Sequence, residues 1–498
     1  MRSSLCITLV LSAGLLAPQW AFADDQSAEI KAAIDAYLKD SAERIEDTDF
    51  TYKDLTVTAK GEVYEVVFTD LAAKVDDDVN IDAGSPSFTV QPQGDDWLVS
   101  NVSLPPKLTL TDVKGGESAE ISWTLVGLTA TWTPLLREFK QLDAKMTDVV
   151  VAVTEKGSAG GADETQTVDL GAIEMKIDTT ETNANAWSHQ SVLSMGPVKV
   201  TVPEDSGVLT IEKILVENGV DNLDPQAYLK QIETVAALEA AAEAKDAAKE
   251  KELEATLLAM APVAEGINQS FTVTGFSFED PSDGELNIKQ KSASVSFDAV
   301  ATKGSPTGSV TLKLKGQGTE LSGKGLDGED QLASMLTPEN VDIELALDKL
   351  PVKEVNELIM QLAFSALDLT PEPNIAFPKI MAAASEAGSE LVLKPITLQG
   401  KYASVDGEGQ AKVDPQAAMQ AVGGATLTLT GLEKLQEAVA TLPKDMQQGV
   451  TGAMVFLKGL GKAETVDGAV AYKYVFDLPA DGNVTLNGQP LGALMGGN

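Results

Sequence analysis

The 498-residue sequence contains a single cysteine, Cys6, which lies in an apolar stretch close to the N-terminus. The rest of the chain has no thiol, which excludes a disulfide, a cysteine nucleophile and a cysteine–zinc site there. A chain of this size does not need disulfides, because its 43% hydrophobic residues are enough to bury a large core.

Histidine is equally scarce, since His189 is the only one in the sequence. One histidine without cysteine cannot form the usual zinc ligand sets. His189 lies in a polar stretch where it could act with a serine and an acid, but no candidate serine has the G-x-S-x-G surroundings of a nucleophile elbow. An exposed loop histidine is the favoured interpretation. The sequence predicts no catalytic, cofactor-binding or metal-ligating residue, no cofactor and no enzyme activity.

Basic residues are too few to balance the acidic ones, with 37 Lys and Arg against 75 Asp and Glu, for a net charge of −38. Nucleic acid is excluded as a partner, because its binding depends on basic groups, and anionic lipid headgroups would also be repelled. Solubility, or adaptation to a salty medium, is the favoured explanation of the large negative charge. A docking surface for a basic partner or for divalent cations is the alternative.

One acidic run offers the oxygen ligands that calcium prefers, and its members alternate along the chain: Asp76, Asp78, Asn80 and Asp82. The EF-hand pattern fails, because glycine comes one position late, at Gly84, and Thr89 takes the place of the bidentate glutamate. A solvated acidic strand edge, which discourages edge-to-edge pairing, is favoured over a calcium site.

Aromatic residues make up only 5% of the sequence, which argues against the aromatic platform of a carbohydrate site. A hydrolase using two carboxylates is a less favoured alternative, because with so many acids no pair stands out. The glycines at 115–116 lack the spacing of a nucleotide fingerprint. Packing in a core or on a sheet is favoured over a ligand groove for four tryptophans: Trp97, Trp123, Trp132 and Trp187.

Long hydrophobic runs are missing after Ala23, so we expect no membrane span in the mature chain. Before that point, Arg2, a short apolar core at 5–16 and the A-x-A motif at 21–23 are the three parts of a secretory signal peptide. The sequence therefore predicts cleavage after Ala23 and a periplasmic or secreted protein.

Alternation of apolar and polar side chains is abundant, and it is typical of strands with one buried face. In one of the clearest cases Ala293, Val295 and Phe297 alternate with serines. Gly275 indicates a bulge, and residues 157–161 an exposed loop. Further strands are predicted at 129–133, 149–153, 173–177, 198–202, 209–216, 391–398, 410–413, 425–430 and 469–478.

Helical periodicity predicts helices at 30–45, 352–367, 379–385, 432–442 and 445–460. Asp224-Pro225 starts a segment rich in helix formers that runs to about residue 260, as either one bridging helix or a helical hairpin. The sequence Asp-Pro-Gln-Ala recurs at 414–417 and predicts another helix start. Asn487-Gly488 is a hairpin-turn signal.

These elements predict an α+β fold, predominantly antiparallel β-sheet in long meanders, with segregated helices and a central long helix or helical hairpin. The predicted boundaries are a signal peptide at 1–23, an N-terminal helix plus β-rich unit at 24–223, a helical connector at 224–262, and a C-terminal β-rich unit with helical inserts at 263–498.

The layout, with residues 424–432 (GATLTLTGL), 472–478 (YKYVFDL) and 481–488 (DGNVTLNG), resembles proteobacterial periplasmic envelope proteins of unknown function, of the AsmA and YdgA types. The resemblance implies an envelope protein that handles lipid or maintains the cell surface, and it implies no catalytic residues. The leading hypothesis is a non-enzymatic protein that binds a lipid-like or hydrophobic ligand on a curved sheet. The alternative is a structural or scaffold protein that docks an envelope partner through the helical insert at 240–252.

Overall fold

The computed structural model describes residues 26–44, 48–75, 79–112, 117–133, 138–155, 164–183, 186–201, 207–279, 287–301, 304–323, 328–366, 377–466 and 468–494. Strands account for 60% of the structure and helices for 24%, and the strands are mostly antiparallel, with a few separate helices. The predicted α+β, sheet-dominated fold class is therefore confirmed.

The helices within these ranges are α1 (Ser27–Arg44), α2 (Pro225–Glu243), α3 (Ala247–Leu258), α4 (Gly328–Leu336), α5 (Val352–Ala366), α6 (Phe377–Ala387), α7 (Leu432–Val439), α8 (Lys444–Leu460) and α9 (Leu491–Leu494). Over the part of the chain that the structure describes, none of them combines the length and the apolar character that a membrane crossing requires.

The strands before α2 are β1 (Thr48–Thr51), β2 (Asp54–Lys60), β3 (Val63–Thr69), β4 (Leu71–Val75), β5 (Val79–Gly84), β6 (Ser87–Gln93), β7 (Asp96–Ser103), β8 (Lys107–Asp112), β9 (Ser118–Thr133), β10 (Glu138–Glu155), β11 (Glu164–Asn183), β12 (Ala186–Gly196), β13 (Val198–Thr201), β14 (Val208–Ile211) and β15 (Lys213–Leu223).

The strands after α3 are β16 (Gly266–Glu279), β17 (Asn287–Val300), β18 (Thr307–Gln317), β19 (Glu320–Ser322), β20 (Pro338–Pro351), β21 (Glu390–Gly400), β22 (Ser404–Val413), β23 (Ala421–Thr430), β24 (Lys462–Val466), β25 (Ala469–Leu478), β26 (Thr485–Leu486) and β27 (Gln489–Pro490).

The chain divides into two compact units. The first unit comprises the described residues of Met1–Glu181 and His189–Glu217, and the second comprises those of Thr182–Ser188 and Asn218–Asn498. Helices α2 and α3 fall within the second unit. The predicted limits of the three mature segments stay a prediction.

In the first unit, the long strand β9 joins two sets of strands. Its N-terminal half pairs with β8, which continues through β5 and β4 to β1. Its C-terminal half pairs with β7, which continues through β6 and β3 to β2. The other edge of β9 pairs with β10 along nearly its whole length. Strands that pair here are separated by up to three places in the chain, so this unit is more than a simple meander.

Helix α1 packs on the main core of the first unit. Its apolar residues recur at helical spacing, which places Ile30 and Ile34 on one face, and both are almost fully buried together with Phe68 of β3. Tyr52 packs edge-on against Phe68, with ring centroids 5.7 Å apart. The Tyr52 hydroxyl donates to the Asp35 carboxylate, and this bond raises the pKa of Tyr52 to about 12.

The second unit is a meander, because its strands pair in chain order from β16 through β17, β18, β20, β21, β22 and β23 to β25. Helices α4 to α8 are inserted between successive strands of this order, whereas α2 and α3 precede β16 and α9 follows β27. Helices α4, α7 and α8 share one apolar cluster that includes Leu432, Leu435 and Met454. The long strands of this sheet therefore keep two distinct sides. The polarity of each side bears on where a ligand could bind.

The segment from Asp224 forms a helical hairpin, so the alternative of one bridging helix is wrong. Asp224 caps α2 by accepting a hydrogen bond from Ala227 N at 3.0 Å, as its position before proline predicts. The chain reverses at Lys245, which has φ +55°, and Asp246 caps α3. Leu238 and Leu257, each 1% exposed, pack together between the two helices.

Two other predictions are wrong. Asp414 does not start a helix; its carboxylate accepts from Gln416 N at 2.9 Å within the turn that leads from β22 into β23. The register of β16 against β17 continues without a shift across Gly275, so there is no bulge, although Gly275 has φ +64°.

The remaining helix predictions are confirmed within a few residues at each end. The hairpin signal at Asn487-Gly488 is also confirmed, since both residues have positive φ between β26 and β27. Asn487 links this hairpin to its surroundings by donating to Leu460 O at 2.8 Å and accepting from Val475 N at 2.9 Å. Several predictions fall on residues that the structure does not describe. They are the predicted signal peptide with Cys6, the acidic residues Asp76 and Asp78, the glycines at 115–116 and the predicted loop at 157–161.

Candidate functional site

His189 lies on strand β12 and is half-buried, so the prediction of an exposed loop residue is wrong. Its Nδ1 is 2.8 Å from Oγ1 of Thr179, a residue that is 6% exposed. This hydrogen bond across neighbouring strands is a structural contact. The absence of enzyme activity stays a prediction.

The tryptophans of the first unit pack in its cores, which confirms the favoured interpretation. Trp97 and Trp132 face each other across β7 and β9, with ring centroids 6.1 Å apart and an angle of 61°. Trp132 and Trp123 are 3% and 8% exposed. Trp187, which belongs to the second unit, is 8% exposed.

The described part of the acidic run, Asn80 and Asp82, points to solvent from β5. The predicted strand edge is wrong, because β5 pairs with β4 on one side and β8 on the other. Asp82 accepts a hydrogen bond from Gly84 N at 2.9 Å and so stabilises the following turn. Among the residues that the structure describes, no three His, Cys, Asp or Glu side chains come together in a group that could hold a metal ion.

The most unusual surface of the second unit is one face of its sheet. Every second side chain of a strand points to this face. The antiparallel register places these side chains beside one another on neighbouring strands. Phe271 pairs with Val295, which pairs with Leu314. The next row runs from Phe297 through Leu312 to Leu345 and Leu393.

Large side chains of this face remain in contact with solvent. We call the exposed members the apolar face. They are Ile267 (52% exposed), Phe271 (42%), Val295 (40%), Phe297 (39%), Leu312 (45%), Leu314 (46%), Leu347 (40%) and Leu391 (37%). Among the aligned positions at 267–273, 293–299, 310–316, 341–347 and 391–398, Gln269 is the only polar residue on this side of the five strands. A contiguous exposed apolar patch of this kind is a candidate binding surface.

The opposite side of the same strands is charged. Glu344 on β20 lies between two lysines, with Lys394 Nζ at 2.6 Å and Lys313 Nζ at 3.7 Å from its carboxylate oxygens. The hydrogen bond from Lys394 holds the pKa of Glu344 below its usual range and raises the pKa of Lys394. Lys315 and Asp342 form a further pair at 3.4 Å. The two sides of the sheet therefore differ sharply in polarity.

One end of the apolar face leads into a pocket with a volume of ≈ 190 Å³. Its floor is the sheet, through Ile267, Phe297 and Val310, and its wall is the first half of α5, through Val355 and Ile359. Helix α5 is held there partly by Asn356, whose Nδ2 donates to Met260 O at 3.3 Å. Hydrophobic lining with few polar groups is typical of small-molecule sites.

Three polar residues belong to the pocket lining that the structure describes, namely Glu265, Ser309 and Asn356. Glu265 is the single charged residue of that lining, and its Oε2 accepts a hydrogen bond from Asn222 Nδ2 at 2.7 Å. No lysine, arginine or histidine belongs to the lining that the structure describes.

Alternation in the sequence indicated that β17 and β18 each have one apolar side, but it did not indicate that this side is exposed. The pocket was missed altogether, because its wall comes from α5, far along the chain from Ile267. The only local signal for it was the apolar stripe of α5 at Val355 and Ile359, which also fits ordinary core packing.

Comparison with family models, curated proteins and solved structures finds no match to this chain. The segments that resemble AsmA- and YdgA-type envelope proteins form β23 with the start of α7, most of β25, and the stretch around β26. Membership of that group stays a prediction.

Proposed function

We propose that the second unit binds a hydrocarbon chain, such as the acyl chain of a lipid, along the apolar face and into the adjoining pocket. The observation that carries the proposal is the alignment of large apolar side chains, 37–52% exposed, across five paired strands. Export to the periplasm and a place in the cell envelope are part of the same proposal, on the strength of the N-terminal sequence pattern.

The dimensions suit one extended chain. Strands in a sheet lie about 4.8 Å apart, so the path from β16 to β21 is roughly 19 Å long. An acyl chain spans one leaflet, about half of the ~30 Å hydrocarbon core of a bilayer. A chain of that length, about 15 Å, would reach across four of the five strands of the apolar face.

The chemistry of the face favours hydrocarbon over a protein partner. Protein interfaces contain about one hydrogen bond per 100–200 Å², which requires polar groups distributed over the contact. On this side of the five strands the aligned positions contain only Gln269 as a polar residue. A ligand that forms no hydrogen bonds along its length fits such a surface better.

The test is a pair of variants that place the same charge on opposite sides of β17. Phe297→Glu puts a carboxylate in the centre of the apolar face, whereas Ser296→Glu puts it on the charged side opposite Lys313. Delipidated protein is titrated with the uncharged fluorescent probe N-phenyl-1-naphthylamine. We expect Phe297→Glu to weaken binding about tenfold or more, because a charge in an apolar contact is costly.

Ser296→Glu should leave probe binding within about twofold, since its side chain points away from the contact. Equal loss in both variants, or no probe binding by the wild-type protein, would contradict the proposal. Native mass spectrometry of the delipidated protein mixed with extracted envelope lipids gives a second measurement, in which a retained lipid is the expected result.

The scaffold alternative rests on the tip of the α2–α3 hairpin, where residues 244–249 are exposed. Replacing these residues with a short Gly-Ser linker leaves Leu238 and Leu257 in place, so thermal unfolding should change little. Loss of a co-purifying envelope protein in this variant alone would favour docking through the hairpin.

A further inference from the structure

Strand β24 forms an open edge of the sheet in the second unit. One side of β24 pairs with β25, and no strand in the part of the chain that the structure describes pairs with its other side. All five residues of the strand, Lys462–Val466, are exposed. A free edge presents unpaired backbone N–H and C=O groups, to which another strand can bind.

The two charged residues of β24 have no counter-charge within one copy of the chain. The register places Lys462 opposite Lys473 of β25, and Glu464 opposite Ala471. Like charges directly opposite each other on neighbouring strands are destabilising. Within the described residues, neither Lys462 nor Glu464 forms an ion pair. This edge therefore has both an unused backbone and two unused charges of opposite sign.

A second copy of β24 supplies both missing counter-charges. In an antiparallel pair with a two-fold axis at Ala463, Lys462 of each copy is opposite Glu464 of the other copy. The registers centred on Lys462 or on Glu464 place like charges opposite each other instead. Lysine on an edge usually discourages pairing. Here the glutamate two residues later reverses that effect for the same strand of a second copy, because opposite charges at facing positions are stabilising.

Helix α8 adds an apolar surface beside this edge. Gly461 alone separates its last residue from β24, and Val455 and Phe456 near this end are 62% and 55% exposed. The helix lies on the Ala463 side of the sheet, because Tyr472, which pairs with Ala463, packs against the apolar cluster of α7 and α8. A two-fold axis perpendicular to the sheet places both α8 helices on that side and the charged pairs on the other side.

We propose that this chain forms a symmetric dimer in which the β24 strands of two copies pair antiparallel around Ala463. The pairing joins the sheets of the two second units into one continuous sheet. The occupant of the edge is a second copy because the order of charges along β24 matches itself in this register. The interface leaves the apolar face uncovered, so the dimer does not depend on the proposed function.

Sedimentation velocity of the purified protein tests the dimer. An edge of five residues forms a small interface, as in transient complexes, so the protein is studied at about 100 µM and after dilution. The net charge of −38 repels a second copy at long range, and 0.15 M NaCl screens charges more than about 8 Å apart. We expect a dimer that dissociates on dilution. A protein that stays monomeric at the higher concentration overturns the inference.

Two variants test the register. Lys462→Glu places two pairs of acidic residues across the interface, and Glu464→Lys places two pairs of basic residues there. Each variant should raise the dissociation constant of the dimer about tenfold or more, because two attractive pairs become repulsive. An unchanged dissociation constant in both variants means that the interface lies elsewhere, which contradicts the proposal.

Mixing the two variants gives the sharpest test. In a mixed dimer the acidic residues of the Lys462→Glu chain face the basic residues of the Glu464→Lys chain, so both contacts again join opposite charges. The equimolar mixture should regain the affinity of the wild-type protein, which also shows that both variants fold. A chain that carries both substitutions should dimerise with itself in the same way. If the mixture and the double variant stay monomeric, the proposed register is wrong.

A control separates the register from the overall charge. Lys353→Glu changes the net charge by the same amount at an exposed position on α5, away from β24. It should leave the dissociation constant within about twofold, because its charge is not opposite a residue of the second copy. A loss as large as that of Lys462→Glu would assign the effect to net charge and overturn the inference.

Discussion

The exposure of the apolar face predicts a small cost for shortening one of its side chains. Leu→Ala removes three carbon atoms, which at ~0.8 kcal/mol per buried methylene amounts to roughly 2.4 kcal/mol for a fully buried leucine. Leu312 is 45% exposed, so little more than half of that value applies, roughly 1.3 kcal/mol. The same substitution at Leu432, 2% exposed, also leaves a cavity and should cost about 3–4 kcal/mol.

The free energy of unfolding is measured by urea titration at 25 °C with far-UV circular dichroism. Hydrogen exchange in peptides from β18 and α7 shows whether the lost stability lies in the second unit. Thr311→Ala, on the opposite side of β18, corrects for the lower strand propensity of alanine. A loss at Leu312 as large as that at Leu432 would mean that the apolar face is covered in solution, and the binding proposal would then lose its basis.

Two further predictions concern stability. Glu344→Gln should cost about 0.5–1 kcal/mol at pH 7, because its partners Lys394 and Lys313 are partly exposed. The folded pKa of Glu344 is below its usual value of 4.5, so its contribution is present above that pH and is lost as pH falls through the folded pKa. Lys245→Gly should stabilise the protein by about 0.5–1 kcal/mol, because φ +55° strains a residue with a side chain.

Thermal unfolding measures both effects. For Glu344→Gln, a difference from wild type that stays constant from pH 7 to pH 3 would contradict the ion-pair explanation. For Lys245→Gly, the control is Lys251→Gly within α3, which should be destabilising by about 1 kcal/mol. Destabilisation by both glycines would show that the left-handed conformation at Lys245 is not strained.

The sequence predicted the type of element well wherever periodicity was clear. Apolar residues at helical spacing, such as Ile30 and Ile34, predict helix α1. Alternating apolar and polar residues predict the strands β17 and β18. The Asp-Pro-Gln-Ala motif misled at Asp414, because Met419 and Val422 follow it at the same offsets at which Leu229 and Ile232 follow Asp224. Val422 instead belongs to β23, whose pairing with β22 outweighs the local helix signal.

Other features depend on contacts that a sequence pattern does not encode. Nothing between residues 240 and 252 signalled a reversal, since Lys245 occupies a left-handed position where glycine is usual. Alternation in β18 shows that Leu312 and Leu314 share a side, but not whether a helix covers that side. The pocket needs α5 to pack near Ile267, and only tertiary structure brings them together.

The position of β9 has a consequence for the order of folding. The first unit contains two sets of paired strands, one ending at β8 and the other at β7. Until residues 118–133 have been synthesised and form β9, the outer edges of β8 and β7 have no partner. Unpaired edges bind other strands readily, so a nascent or truncated chain that stops before Ser118 has two surfaces open to misassembly. The second unit, whose strands join their predecessors one after another, is free of this dependence.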